Sequence, residues 1–179
     1  MNDLEIIERI IADEGGELFV WNPADPGGAT KWGITARGLK PYWNHDVTPE
    51  QIRTLTHGDA VGFYFWLLKS TKIGQIVNET VRWFVFDAAV HMGATQATKL
   101  LQRALHVKDD GILGPVTLAA TPYLDGTKLC RLFAVEQMLF YGRLAAKNLT
   151  DADRDGIPDQ LEFLPGYLNR LARKMREVS

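Results

Sequence analysis

Apolar residues Leu4, Ile7, Ile10 and Ile11 recur at the spacing of one helical face, and Asn2 with Glu5 three residues on can form a capping box. The pattern predicts a helix that starts near residue 3 and ends at Gly15-Gly16, because glycine accepts the left-handed backbone of a helix C-terminus. Glu14 is left on the last turn. Further on, Glu17 to Trp21 and Lys31 to Thr35 read as two short strands, with Pro23, Pro26, Gly27 and Gly28 forcing a wide turn between them. Asp25 falls in that turn and Thr30 at its exit.

The rest of the pattern is helical. Thr48-Pro49-Glu50-Gln51 combines an N-cap, a proline at the first helical position and a Gln three residues past the cap, and Ile52, Leu55 and the Val61 to Leu68 run follow it. From Asn78 to Gly93 the apolar positions Val81, Phe84, Val85, Ala88, Ala89 and Met92 nearly encircle the helix, which predicts a buried central element. Thr95 to Val107, Pro115 to Ala120 and Thr127 to Asn148 are further helices, separated by turns at Asp109-Asp110-Gly111 and around Asp125-Gly126. The expected fold is mainly α with one minor hairpin. The expected organisation is a lobe at 1–93 and a second helical lobe at 94–179, joined in one globule.

At 179 residues the chain has material for one sizeable core. A formal charge of −2 argues against nucleic acid as a partner. No run approaches the roughly 20 apolar residues that cross a bilayer, so no stable membrane insertion is expected, and a monomer is. The first residues, Met-Asn-Asp-Leu-Glu, lack the basic and apolar regions of a secretory signal. The lone Cys130 lies among Leu129, Leu132 and Phe133 and reads as a small buried apolar group.

Glu14, Asp25 and Thr30 carry the candidate chemistry. A carboxylic acid that protonates a leaving oxygen, opposite a group that holds water or attacks, is the arrangement glycosidic hydrolysis requires. Each also has an ordinary role: Glu14 as a solvated helix end, Asp25 as a turn former beside Pro26, and Thr30 as a strand residue. Trp32, Tyr42, Trp43, Tyr64 and Trp66 could line a saccharide groove or sit in the core. His45, His57, His91 and His106 show no metal-ligand spacing, which disfavours a zinc amidase or peptidase. Arg170, Arg173, Lys174 and Arg176 make the last helix basic, a pattern that predicts a solvated face.

The helix-end Glu facing a hairpin with an Asp and a Thr resembles the phage-type lysozymes. The runs Glu14-Gly15-Gly16 and Asp25-Pro26-Gly27-Gly28-Ala29-Thr30-Lys31-Trp32-Gly33-Ile34-Thr35 more closely resemble glycoside hydrolase family 108, N-acetylmuramidases of bacteriophages and bacteria. Tyr64-Phe65-Trp66, Phe86 to Val90, Leu101 to Leu105 and Asp110 to Pro115 extend the likeness. Leu164 to Arg170 is similar to the predicted peptidoglycan-binding region that accompanies the family. His91 departs from it, standing where the family usually has Asn.

The resemblance implies a lysozyme-like fold and cleavage of the β-1,4 bond between N-acetylmuramic acid and N-acetylglucosamine in peptidoglycan glycan strands. Glu14 would be the general acid, and Asp25 with Thr30 would orient the water. A lytic transglycosylase and a non-catalytic peptidoglycan-binding or secretion-promoting module are the alternatives. A phage lysis enzyme made in the host cytoplasm would reach periplasmic peptidoglycan after another protein permeabilises the membrane.

A second constellation lies near the C-terminus. Asp151, Asp153, Asp155, Gly156, Asp159 and Glu162 occupy positions 1, 3, 5, 6, 9 and 12 of a twelve-residue calcium loop, with Ile157 offering its carbonyl. An acidic turn capping the last helix would read similarly, but five carboxylates in twelve residues repel one another without a cation. Calcium is therefore expected here, locking the last two helices together.

Overall fold

A computed structural model describes residues 1–21, 28–147 and 159–178. Asp25 and the calcium-loop residues 151–158 lie outside that range, and of Asp159 and Glu162 only the helical backbone is described. The elements are α1 (Asp3–Asp13), β1 (Thr30–Lys31), β2 (Ile34–Thr35), α2 (Ala36–Trp43), α3 (Pro49–Arg53), α4 (His57–Ser70), α5 (Glu79–Met92), α6 (Ala94–Ala104), α7 (Pro115–Ala120), α8 (Gly126–Lys147) and α9 (Asp159–Glu177). The mainly α chain with a small hairpin is as expected. No described helix is long and apolar enough to cross a membrane.

Packing divides the chain into two compact units, Met1–Gly74 and Gln75–Ser179. The sequence boundary at 93/94 follows Gly93; by packing, α5 groups with α6 and α8.

In the first unit, α1 is capped as its sequence predicts, Asn2 Oδ1 accepting from Glu5 N–H and Glu5 Oε2 accepting from Asn2 N–H, both at 2.9 Å. Its buried stripe is Ile6, Ile7, Ile10 and Ile11, two i,i+4 rows that face α4, while Leu4 stays exposed. From α4, Ala60, Phe63, Tyr64 and Leu68 are buried. Thr48 and Gln51 cap α3 reciprocally.

The hairpin departs from its predicted form. The stretch Lys31 to Thr35 is not one strand; the sheet's two strands, β1 and β2, sit on either side of Trp32 and Gly33, pairing Thr30 with Thr35 and Lys31 with Ile34. Trp32 (φ +57°) and Gly33 (φ +72°) both have positive φ, as a tight two-residue hairpin loop needs. Glu17 to Trp21 contributes an isolated bridge, Val20 to Thr30, instead of a strand. Thr35 then caps α2, accepting from Gly38 N–H at 3.0 Å.

In the second unit, α5 is buried almost all round, through Val81, Trp83, Phe84, Val85, Phe86, Ala88 and Ala89. α6 and α8 pack against it, and α9 packs against α8. Cys130 is fully buried, and burial pushes its thiol up to about 12. The basic stripe of α9 is not simply solvated. Lys174 is 1% exposed, with its ammonium 2.6 Å from Asp87 Oδ2 on α5 and facing the rings of Trp83 and Phe84. Arg170 donates through Nε to the other oxygen of Asp87 at 3.0 Å. A buried carboxylate recruits cations, because an uncompensated charge in the interior is costly.

Candidate active site

The local sequence around Glu14 folds so that this side chain meets the hairpin. Glu14 is the C-cap of α1, and its N–H donates to Ile10 O at 2.9 Å. Gly15 (φ +90°) and Gly16 (φ +58°) reverse the chain, and Gly16 N–H closes a bond to Ile11 O at 3.1 Å, the terminal bond of a Schellman motif. Gly16 O then accepts from Trp32 N–H at 3.0 Å, which ties the helix end directly to the hairpin loop.

Gly33, the next residue of that loop, lies against the stem of Glu14. A Cβ there would stand 2.5 Å from Glu14 Cβ, 2.8 Å from Glu14 Cγ and 2.9 Å from Tyr64 Oη, so the approach requires glycine. Tyr64, 1% exposed on α4, donates its hydroxyl to Trp32 O at 3.0 Å and holds the loop from below. Glu14 is half-buried, and its Oε1 is shielded from solvent.

The far side of the hairpin is anchored to the end of α3. Lys31 Nζ donates to Arg53 O at 3.1 Å and to Leu55 O at 2.8 Å, and Trp32 Nε1 donates to Leu55 O at 3.1 Å. His57 meets the Trp32 ring edge-on at 5.5 Å and bonds Glu8 Oε2 at 2.9 Å. These bonds fix the loop on rigid elements, which is what a catalytic acid on one side of it needs.

Of the three candidate catalytic residues, Glu14 and Thr30 belong to this one assembly. Thr30 is half-buried on β1, its backbone paired with Val20 at 2.8 and 2.9 Å. Asp25 falls outside the described residues. Among the candidate aromatics, Trp32 and Tyr64 join the site, whereas Tyr42 and Trp66 cluster with Phe63 and Trp43 tilts over His45. The sequence reading did not single out Gly33. Its local signal was weak: glycine suits a positive-φ loop position, but Trp is not among the residues that ordinarily open a two-residue hairpin loop.

Residues 7–93 match the family described as Glycosyl hydrolase 108, and residues 96–172 match one described as Predicted Peptidoglycan domain. Among solved structures, the chain is similar in fold to the one described as "Structure of Brucella abortus SagA", with a TM-score of 0.78 and 24% identity over 97% of this chain and 91% of that one. No curated protein matches the sequence. The mainly α, lysozyme-like fold is thus shared with that structure. The chain carries, in order, a match to the glycosyl hydrolase 108 family at residues 7–93 and a match to a predicted peptidoglycan domain at residues 96–172.

Proposed function

We propose that this protein is an N-acetylmuramidase that hydrolyses the β-1,4 bond between N-acetylmuramic acid and N-acetylglucosamine in peptidoglycan. The two family matches support the coarser statement, a glycoside hydrolase acting on peptidoglycan. The observation that supports Glu14 as the acid is the clasp around it, a carboxyl group at the end of α1 with one oxygen shielded and its stem held by Gly33, while the choice of bond rests on the resemblance to the family's N-acetylmuramidases. A general acid must be fixed and partly withdrawn from water to act at one bond.

In this reading the Glu14 carboxyl gives its proton to the glycosidic oxygen as the bond from that oxygen to the anomeric carbon breaks. Water oriented by Asp25 and Thr30 adds its oxygen to the anomeric carbon, and the water's proton leaves to a carboxylate. The product ends in a reducing N-acetylmuramic acid.

Clearing of permeabilised Gram-negative cells tests the activity, and mass spectrometry of the released fragments tests the bond. Wild-type protein should clear the suspension and release reducing N-acetylmuramic ends, while folded Glu14→Gln should lose about a hundredfold or more of the rate. An anhydro-sugar product would replace hydrolysis with transglycosylation. Full activity in Glu14→Gln would remove Glu14 from the mechanism.

A further inference from the structure

The loop from Val107 to Gly114, between α6 and α7, and the first residues of α7, Pro115 to Thr117, form the edge of a groove of about 230 Å³. Gln102, 1% exposed on α6, fixes it from beneath. Its Nε2 donates to Asp110 Oδ1 at 2.9 Å, Ile112 O at 3.1 Å and Thr117 Oγ1 at 3.0 Å, and its Oε1 accepts from Gly111 N–H at 2.8 Å. Gly111 (φ +77°) presses the loop onto α6, where a Cβ would stand 2.8 Å from Thr95 Cγ2. The loop is therefore held in shape before any ligand arrives.

The rim of this held loop is unusually apolar for its exposure. Ile112 is 65% and Val116 73% exposed, Val107 and Pro115 add further apolar lining, and Lys108 and Asp110 contribute one charge of each sign. Asp110 also lines the groove and is exposed, its Oδ1 accepting from Gln102 Nε2 and the Ile112 N–H, so the rim carries an anchored carboxylate as well as the Lys108 ammonium. Exposed aliphatic side chains grouped in a concave, rigid site mark a binding surface.

We propose that this groove binds the peptide stems of peptidoglycan, a proposal that rests on peptidoglycan being the substrate. Residues 96–172, which contain the whole groove, are those matching the predicted peptidoglycan domain. The lining distinguishes stem from glycan. Sugar faces are covered by aromatic rings, and none lines this groove. Stems present alanine methyl groups beside free carboxylates, which complement aliphatic Ile112 and Val116 and the Lys108 ammonium. Stem capture here would hold the chain on the wall while the glycan is cut by the other domain.

Co-sedimentation of the full-length Glu14→Gln protein with purified Gram-negative sacculi tests this. Ile112→Asp with Val116→Asp should weaken binding about tenfold or more without lowering the melting temperature, since both side chains are exposed. Sacculi stripped of stems by an amidase should bind as weakly as that variant binds intact sacculi, and free stem tripeptide should compete. Unchanged binding by the variant, full binding to stripped glycan, or no binding by the Glu14→Gln protein would each overturn the groove assignment. Fragment release by the protein with an intact Glu14 is read in parallel. Its absence would count against the hydrolase reading, whereas release with unaltered binding by the variant would overturn the groove alone.

Discussion

The α-carbon of Gly33 packs directly on the side-chain stem of Glu14, leaving no room for a Cβ between them. The contact couples the hairpin loop to the end of α1, so a change at either residue moves the other. Gly33→Ala should both strain the loop at φ +72° and push the Glu14 carboxyl aside. The backbone penalty alone is about 1–2 kcal/mol, and a carboxyl displaced by about 1 Å loses about a hundredfold in rate. A melting temperature lowered by several degrees together with a collapsed kcat is the expected pair of results. A normal kcat in the folded variant would show that the contact does not set the position of Glu14.

Tyr64 makes a subtler version of the same argument. Its hydroxyl bonds Trp32 O across a sequence separation of 32 residues, while its ring fills the core of α4. Tyr64→Phe keeps the ring and removes only that bond, at a cost of about 0.5–1.5 kcal/mol. The loop carrying Gly33 loses its support, so kcat should fall several-fold with KM nearly unchanged. A general loss of folding would also lower the apparent kcat at constant KM, so steady-state kinetics on a soluble glycan fragment is read beside a melting curve. A variant fully folded at the assay temperature with a several-fold lower kcat assigns the loss to the loop, and an unchanged kcat in the folded variant would remove Tyr64 from its support.

What the sequence made legible here was what depends on neighbours a few residues away. The capping boxes at Asn2 and Thr48, the Asn78 cap of α5 and the Gly15-Gly16 stop are local, and each occurs where its residues imply. Helix α2 has no comparable local signal, since Gly38 and Pro41 both lie within its eight residues; Thr35 nevertheless caps it. The role of Lys174 was misread because the carboxylate that buries it lies 87 positions earlier in the chain. Helical spacing shows that a basic residue lies on a stripe, but not that a carboxylate waits opposite. For the site, Glu14 and its glycine turn were visible as a string, while the Gly33 contact depends on how the hairpin closes.

The buried cluster on Asp87 should respond asymmetrically to mutation. Asp87→Asn leaves the ammonium of fully buried Lys174 without its carboxylate, which typically costs about 3–5 kcal/mol. Lys174→Met keeps an unbranched apolar stem near Trp83 and Phe84 and leaves Arg170 to neutralise Asp87, so it should cost less. The double variant should recover part of the Asp87→Asn loss. Denaturant titrations of the four proteins give the coupling, and strict additivity would mean that the pair contributes nothing jointly.

The same carboxylate predicts an acid limb of stability. Burial opposes the charge of Asp87, but Lys174 and Arg170 outweigh it and hold the carboxyl below its ordinary 3.8. The unfolded chain then binds this proton at a higher pH than the native one. The contribution of Asp87 is present above about pH 4 and is lost as the pH falls below that towards the native value. Melting temperatures between pH 6 and pH 2.5 should drop more steeply for wild type than for Asp87→Asn; parallel curves would remove Asp87 from the acid response.

Calcium is the remaining expectation, and it belongs to the segment 151–162 that joins α8 to α9 in the chain. We propose that Asp151, Asp153, Asp155, Asp159 and Glu162 at loop positions 1, 3, 5, 9 and 12, with Gly156 at the bend and the Ile157 carbonyl, would supply the oxygen donors calcium requires. A ligand that binds only the native state stabilises it by RT ln(1 + [L]/Kd), about 2.7 kcal/mol at a hundredfold excess over Kd. For a chain of this size that corresponds to about 5–10 °C in melting temperature. Chelator should therefore lower the melting temperature by that order, calcium should restore it, and Asp155→Ala should melt near the chelated value whether or not calcium is present. Elemental analysis should find one calcium per chain, absent in Asp155→Ala. A wild-type melting curve indifferent to chelator, with no calcium bound, would leave these five carboxylates as a solvated acidic turn.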